Sequence, residues 1–249
     1  MIEVKNLYKS YDGTFVLNDV SATFTQGKCN LIIGRSGSGK TVLLKSIAGL
    51  LEVDEGEIWY GNQKFSHLDI NGRQAIRKEM GMLFQGAALF DSLTVEENVM
   101  FPLNMLTSQS RHTKLERVNI CLERVRVKGA NSQYPAELSG GMKKRVAIAR
   151  AIALNPKYLL CDEPNSGLDP ETGIVIDNLI KEITEEFNMT TIVNSHDMNS
   201  VLEIGDHVVY IHQGCICWEG TRNEVLHTEN EALNNFVFAT NMARQIKQH

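Results

Sequence analysis

Residues 34–41, GRSGSGKT, fit the pattern G-x-x-x-x-G-K-[ST] and stand between an apolar run, 29–33, and a helix-forming run, VLLKSIAGL. Strand, glycine loop and helix in that order are what phosphate binding requires. Gly34, Gly37 and Gly39 lack Cβ atoms, so the backbone carrying Arg35, Ser36 and Ser38 can turn tightly and aim its N–H groups at phosphate oxygens. The positive end of the following helix points at the same place. Lys40 then reaches β- and γ-phosphates, and the Thr41 hydroxyl completes a Mg²⁺ shell. Downstream, an apolar run at 158–161 delivers Asp162 and Glu163 at its carboxyl end. In an open parallel sheet that edge holds the ligand crevice. Two adjacent carboxylates beside a phosphate loop divide the work: Asp162 holds Mg²⁺ through water, and Glu163 polarises an attacking water.

Two further residues follow apolar runs in the same way. His196 comes after 190–194, where three other candidate ligands also end, and is read as functional. The other six histidines have no such setting and are read as structural. Gln85 comes after 80–84, and pattern alone leaves open whether it overlies the site or belongs to an ordinary loop. Between these segments lies LSGGM, 138–142, in which Ser139 can cap a helix starting near Gly140.

The elements that must position these groups can be read from period and punctuation. Alternating residues at 2–8 and 16–25 predict half-buried strands flanking the turn SYDGT. EIWYGNQKF predicts a hairpin, with Trp59 and Tyr60 on opposite faces. From 87 to about 135 the pattern turns helical, with Thr94 and Glu97 as a capping box and Pro102 expected to kink or end that helix early. A second helix is expected at about 114–127. This block interrupts the strand–helix alternation and predicts a helical lobe inserted into one larger α/β domain. Asp169 as N-cap and Pro170 at the first helical position launch a helix to about residue 187. Runs at 207–212 and 215–219 form a hairpin around Gly214, and Thr221 caps a short helix. In the helical tail, about 221–249, Leu233, Phe236 and Val237 fall at helical spacing and can pack on their own domain or on a partner subunit.

Composition narrows the class. The 249 residues are 43% hydrophobic and 22% charged, ordinary for a globular protein, and the formal charge of −5 argues against nucleic-acid binding. Lys143, Lys144 and Arg145 are read as a solvated face rather than a nucleic-acid contact. The start, MIEVKNLYKSYDG, does not read as a signal peptide, and the apolar run 42–51 is too short and too polar to cross a bilayer. The five cysteines are odd in number and scattered, which suits small core or sheet residues.

In family order and spacing, the loop at 34–41, Gln85, LSGGM, LLCDEP at 159–164, SGLDP at 166–170 and His196 resemble the ATP-binding subunits of ABC transporters over essentially the full length. The resemblance implies a P-loop NTPase of the ABC type. Its single domain, 1–249, would have a mixed sheet core, an antiparallel β subdomain and a helical subdomain inserted at about 87–135. It further implies ATP and Mg²⁺ as cofactors and a head-to-tail pair that sandwiches nucleotide between one copy's phosphate loop and the other's signature. Ser139, Gly140 and Gly141 would then serve the γ-phosphate across the dimer. Tyr11 would stack on adenine, Gln85 would contact Mg²⁺ and the attacking water, His196 would contact the γ-phosphate and Asp169 would couple the two sites. Glu163 would be the general base.

Departures from the general pattern refine this. Met142 stands where relatives usually carry glutamine, Asn165 where many carry Thr or Ser. LSGGM followed by a basic pair and RVAIARAIA, together with GAALFDSLTVEENV, resembles ATPases of the Mla/MCE lipid transporters. That implies a peripheral protein on the cytoplasmic face of the inner membrane, an integral permease subunit and an MCE-type lipid-binding subunit as partners, and phospholipid as cargo. Another ABC system (amino-acid, lipoprotein or cell-division type) is the alternative, and a soluble mechanical ABC protein a more distant one. Of Ala87, Ala88, Leu89, Phe90, Val99, Met100 and Phe101, at most a third are expected to be exposed for permease docking.

Overall fold

The computed structural model describes residues 1–238. The chain opens with β1 (Ile2–Tyr11) and β2 (Thr14–Phe24), which pair antiparallel around Asp12 and Gly13, and enters the central sheet at β3 (Lys28–Ile33). After the phosphate loop come α1 (Lys40–Ile47), the hairpin β4 (Glu55–Tyr60) and β5 (Gln63–Lys64), α2 (Ile70–Lys78) and β6 (Met80–Leu83). Helices α3 (Val95–Leu106), α4 (Arg111–Arg124) and α5 (Gly140–Ile152) precede β7 (Tyr158–Asp162). Then follow α6 (Pro170–Glu186), β8 (Thr190–Ser195), α7 (Met198–Ile204), β9 (His207–His212) and β10 (Cys215–Gly220). The described chain ends with α8 (Arg222–Val225) and α9 (Glu231–Val237).

Among the described residues, one sheet runs β10-β9-β3-β8-β7-β6 and the other β2-β1-β4-β5. The first is parallel except for β10, which pairs antiparallel with β9. Its inner strands are covered on both faces, so they are buried along most of their length and rich in apolar residues, with Asn30, Thr190, Thr191, Asn194 and Ser195 among the buried polar exceptions. Period-two alternation still sorts their side chains. Leu31, Ile33, Leu159 and Cys161 enter a core shared with α3 to α6, whereas Ile32 and Leu160 enter a second core against the antiparallel sheet and α1. Because β3, β6, β7 and β8 are parallel, their carboxyl ends share one edge, with Asp162 in register with Asn194 and Ile33 with Ser195. The phosphate loop, Gln85, the two carboxylates and His196 all leave the sheet there.

The helical block follows its caps. Thr94 and Glu97 form the capping box, and Ser139 and Asp169 cap α5 and α6 with their side-chain oxygens. Pro102 does not end α3, which continues to Leu106. Proline in a helix interior costs about 3 kcal/mol. Val99, Met100 and Leu103 are buried on either side of it, and each large apolar side chain returns about 1.5–3 kcal/mol. Two short helices, α2 and α7, have no counterpart in the sequence reading. Trp59 and Tyr60 do alternate: Tyr60 is buried against Phe65 and Tyr158, and Trp59 lies partly exposed. In the tail, Leu233 and Val237 are buried and the Phe236 ring lies 5.5 Å from that of Tyr210, so the part up to 238 packs on its own domain. Residues 239–249 of the tail lie outside the described residues.

Candidate active site

The loop at 34–41 is built against other backbone. A Cβ on Gly34 would lie 2.4 Å from the Ile211 carbonyl oxygen, and one on Gly39, at φ 107°, would lie 2.7 Å from that of Val16. Only glycine fits either place. Lys40 curls back over the loop, its Nζ donating to the carbonyls of Gly34 (2.9 Å) and Arg35 (3.0 Å). Burial pushes its ammonium below the usual lysine range, with Glu163 and Asp162 pulling the other way. A half-desolvated cation resting on neutral carbonyls is a receptor for an anion.

The two carboxylates are held differently. Asp162 is buried, and its Oδ1 accepts from Thr41 Oγ1 and from Asn194 Nδ2, both at 3.1 Å. Glu163 adopts a left-handed backbone, φ 46°, and its N–H donates to the Asn194 carbonyl at 3.0 Å. A non-glycine residue in that region is held there by its surroundings. The turn directs the Glu163 carboxylate into the cleft, where Gln85 Nε2 donates to Oε2 at 2.9 Å and His196 Nδ1 lies 3.0 Å from Oε1. Buried Lys144 ties the two segments together, with Nζ donating to the carbonyl of Gln85 and, at 3.4 Å, to that of Glu163.

One cleft of about 630 Å³ is lined by Arg35, Ser36, Gly37, Gly39, Lys40, Thr41, Gln85, Glu163 and His196, with Val16, Val42 and Phe236 as its apolar walls; Gly34 and Asp162 lie next to lining residues but are not themselves in the lining. Ser38 lies beneath the loop with a buried hydroxyl that has no partner. The other expected site residues are not in the cleft lining. Tyr11 ends β1, exposed, with the Lys9 ammonium 5.4 Å from its ring centroid. Ser139, Gly140 and Gly141 sit at the start of α5, where Ser139 Oγ accepts from the Met142 N–H at 3.3 Å. Asp169 is exposed at the start of α6; its hydrogen bonds to Thr172 hold its carboxyl below the usual range.

The sequence reading did not find Asn194, Lys144, Val16, Val42 or Phe236. Its basic neighbours Lys143 and Arg145 suggest a solvated face for Lys144, yet it lies three, four and seven residues before Ala147, Ile148 and Ala151, all buried. That period was the available signal. Asn194 is a fully buried amide near the end of β8, where Thr190, Thr191 and Ser195 are buried and polar as well, so no pattern singles it out.

The donors suit Mg²⁺: a hydroxyl (Thr41), a carboxylate (Asp162) and a carboxamide (Gln85) form a hard oxygen set. The orphaned buried oxygens of Ser38 and Asn194 mark polar capacity at the same edge. Comparison with known proteins then decides the family. The model of the ABC transporter family matches residues 17–166. The chain belongs to this family. It is 39% identical over 237 residues to the intermembrane phospholipid transport system ATP-binding protein MlaF of Haemophilus influenzae, covering 95% of this chain and 90% of that one. It is also 39% identical to the methionine import ATP-binding protein MetN of Campylobacter jejuni, covering 95% and 75%. The dimeric ATP-binding cassette MJ0796 bound to ADP and Pi superposes with a TM-score of 0.81 at 33% identity, covering 89% of this chain and 99% of that one. The protein is an ABC ATPase: it binds ATP with Mg²⁺, hydrolyses it, and serves a transporter. Among the described residues no helix is long and apolar enough to cross a membrane.

Proposed function

We propose that this ATPase drives a transporter that moves phospholipid between the inner and outer membranes. It would lie on the cytoplasmic face of the inner membrane, as a head-to-tail pair beside an integral permease subunit and an MCE-type lipid-binding subunit. The observation that carries the cargo assignment is LSGGM with Met142, joined to GAALFDSLTVEENV, in a chain so similar to MlaF. Met142 packs partly buried against the core of α3 to α6. A thioether is at home there, and the signature's phosphate contacts use backbone groups that a Gln→Met change leaves intact.

In this reading the backbone of residues 34–39 and Lys40 grip the phosphates, and Tyr11 stacks on the adenine. Thr41, Asp162 and Gln85 would hold Mg²⁺. Held by these residues, Mg²⁺ would supply positive charge against the negative charge that develops on the phosphates. Glu163 takes the proton of the attacking water, oriented by Gln85, and His196 steadies both the Glu163 carboxylate and the γ-phosphate. Ser139, Gly140 and Gly141 lie outside the cleft of their own chain, which supports their acting on a second copy's nucleotide through another helix N-terminus. Asp169, capping the helix that follows the Glu163 turn, couples the two sites.

A groove of about 440 Å³, walled by Met82, Phe84, Phe90, Phe101, Pro102 and Leu154, suits an apolar helix from the permease. Of the seven residues expected to mix core and docking roles, Ala88, Phe90 and Phe101 are exposed, more than the third anticipated. The equal identity to MetN favours a second reading, an amino-acid importer. Purifying the membrane complex through this chain and reconstituting it decides between them. ATP-dependent transfer of labelled phospholipid to acceptor vesicles is the expected result; ATP-dependent methionine uptake with no lipid transfer would overturn the lipid assignment.

A further inference from the structure

Asn165 follows Glu163 by two residues and has no role in the mechanism above. Its side chain is the hub of a polar cluster in which Asp177 and Ser200 are buried and Asn165 and Asp197 half-buried. Nδ2 donates to Ser200 Oγ at 2.9 Å and lies 3.3 Å from both Asp177 Oδ2 and Asp197 Oδ2. Ser200 Oγ in turn donates to Asp177 Oδ2 at 2.7 Å. Asp177, on α6, is 1% exposed, and its Oδ1 has no partner. Burial, with a further contribution from Asp197, pushes the Asp177 carboxyl up to about 6. Asn165 is seated by Gly173, one turn earlier on α6, where an added Cβ would lie 3.4 Å from its own. Asp197 is the neighbour of His196 and caps α7, accepting from the Asn199 N–H at 2.9 Å.

The amide therefore ties three segments at one atom: the turn bearing Glu163, the turn bearing His196, and α6. A carboxamide can serve several acceptors because Nδ2 carries two protons and no charge. The two protons can meet two of the three acceptors at once, whereas a Thr or Ser hydroxyl has one proton and can meet only one. Leaving a buried carboxylate oxygen unmatched is costly, so the identity of residue 165 bears on how firmly the two turns are held.

We propose that Asn165 is a positioning residue for hydrolysis, holding the Glu163 and His196 turns in register through Asp177, Asp197 and Ser200. This rests on the reading of Glu163 and His196 as hydrolytic groups. Asn165 is not in the cleft lining, so its loss falls on turnover rather than on nucleotide affinity. Asn165→Asp brings a third carboxylate among two and removes both amide protons. Asp177→Asn in the same chain returns a neutral donor to the cluster.

The test is steady-state ATP turnover by the full chain, purified with its membrane partners, for Asn165→Asp, Asn165→Thr, Asn165→Asp/Asp177→Asn and Glu163→Gln side by side. Displacing catalytic groups slightly can cost up to about 10²-fold, so both single variants at 165 are expected to lose about 10-fold or more in kcat with KM for ATP within about two-fold of the parent. The double variant is expected to recover most of the Asn165→Asp loss. Asn165→Thr, a small change, keeps the test valid if Asn165→Asp does not fold. If Glu163→Gln turns over normally, the hydrolytic reading fails and takes this inference with it. If Glu163→Gln is inactive while Asn165→Thr keeps the parent kcat, or loses ATP affinity as much as kcat, or the folded double variant shows no recovery, the positioning role alone is overturned.

Discussion

Glu163→Gln is expected to lower ATP turnover by about 10²–10⁴-fold, or ~3–5 kcal/mol of barrier, while ATP stays bound. The substitution keeps the shape of the side chain and the left-handed turn that aims it. It also keeps an oxygen to accept from Gln85 Nε2, so the pocket does not collapse. What it removes is the capacity to take a proton from water. In the proposed mechanism nucleotide affinity rests on the backbone of 34–39 and on Lys40, which the change does not touch. The variant is therefore expected to accumulate as a closed, ATP-bound pair, seen as ATP-dependent dimer mass by light scattering. Undiminished hydrolysis would remove Glu163 from the role of base.

Lys40→Ala acts on the other half of the cycle. Truncating one partner of a desolvated charge pair costs about 2–5 kcal/mol, roughly 30-fold to several thousand-fold in Kd. The Lys40 ammonium is partly desolvated and bonded to the loop's own carbonyls at Gly34 and Arg35. Its loss takes away a clasp that shapes the loop and, in the proposed mechanism, the counter-charge to the phosphates. Calorimetric titration with Mg²⁺-ATP is expected to show tight binding abolished, with the fold intact by circular dichroism. Unchanged affinity would mean that phosphate is held elsewhere.

How much of this was visible in the chain depends on how local the physics is. The phosphate loop, the capping box at Thr94 and Glu97, and the Asp169–Pro170 helix start are short-range devices, and each was legible because donor and acceptor lie within a few residues. Pro102 misled because the local cost of proline is real, while the burial of Val99, Met100 and Leu103 that outweighs it comes from elements far along the chain. Lys144 and Asn194 were missed for the same reason: their partners are Gln85, Glu163 and Asp162, which only the parallel sheet brings to them. The hub at Asn165 joins residues 12, 32 and 35 positions away. No period or motif announces such a cluster. Tyr11, Ser139 to Gly141 and Asp169 are the converse: their roles came from resemblance, and they lie outside the cleft lining of their own chain.

The central claim is that each ATP is hydrolysed between the phosphate loop of one copy and the signature of the other. Mixing Lys40→Ala with a Ser139→Ala/Gly141→Asp chain tests it, since each variant alone lacks one half of every site. In a random pair of twofold type, half the dimers are mixed and each of these holds one intact composite site, so turnover is expected to return to about one quarter of the parent. If turnover of the mixture stays at the level of the separate variants although mixed dimers form, the signature does not complete a neighbour's site and the claim is wrong.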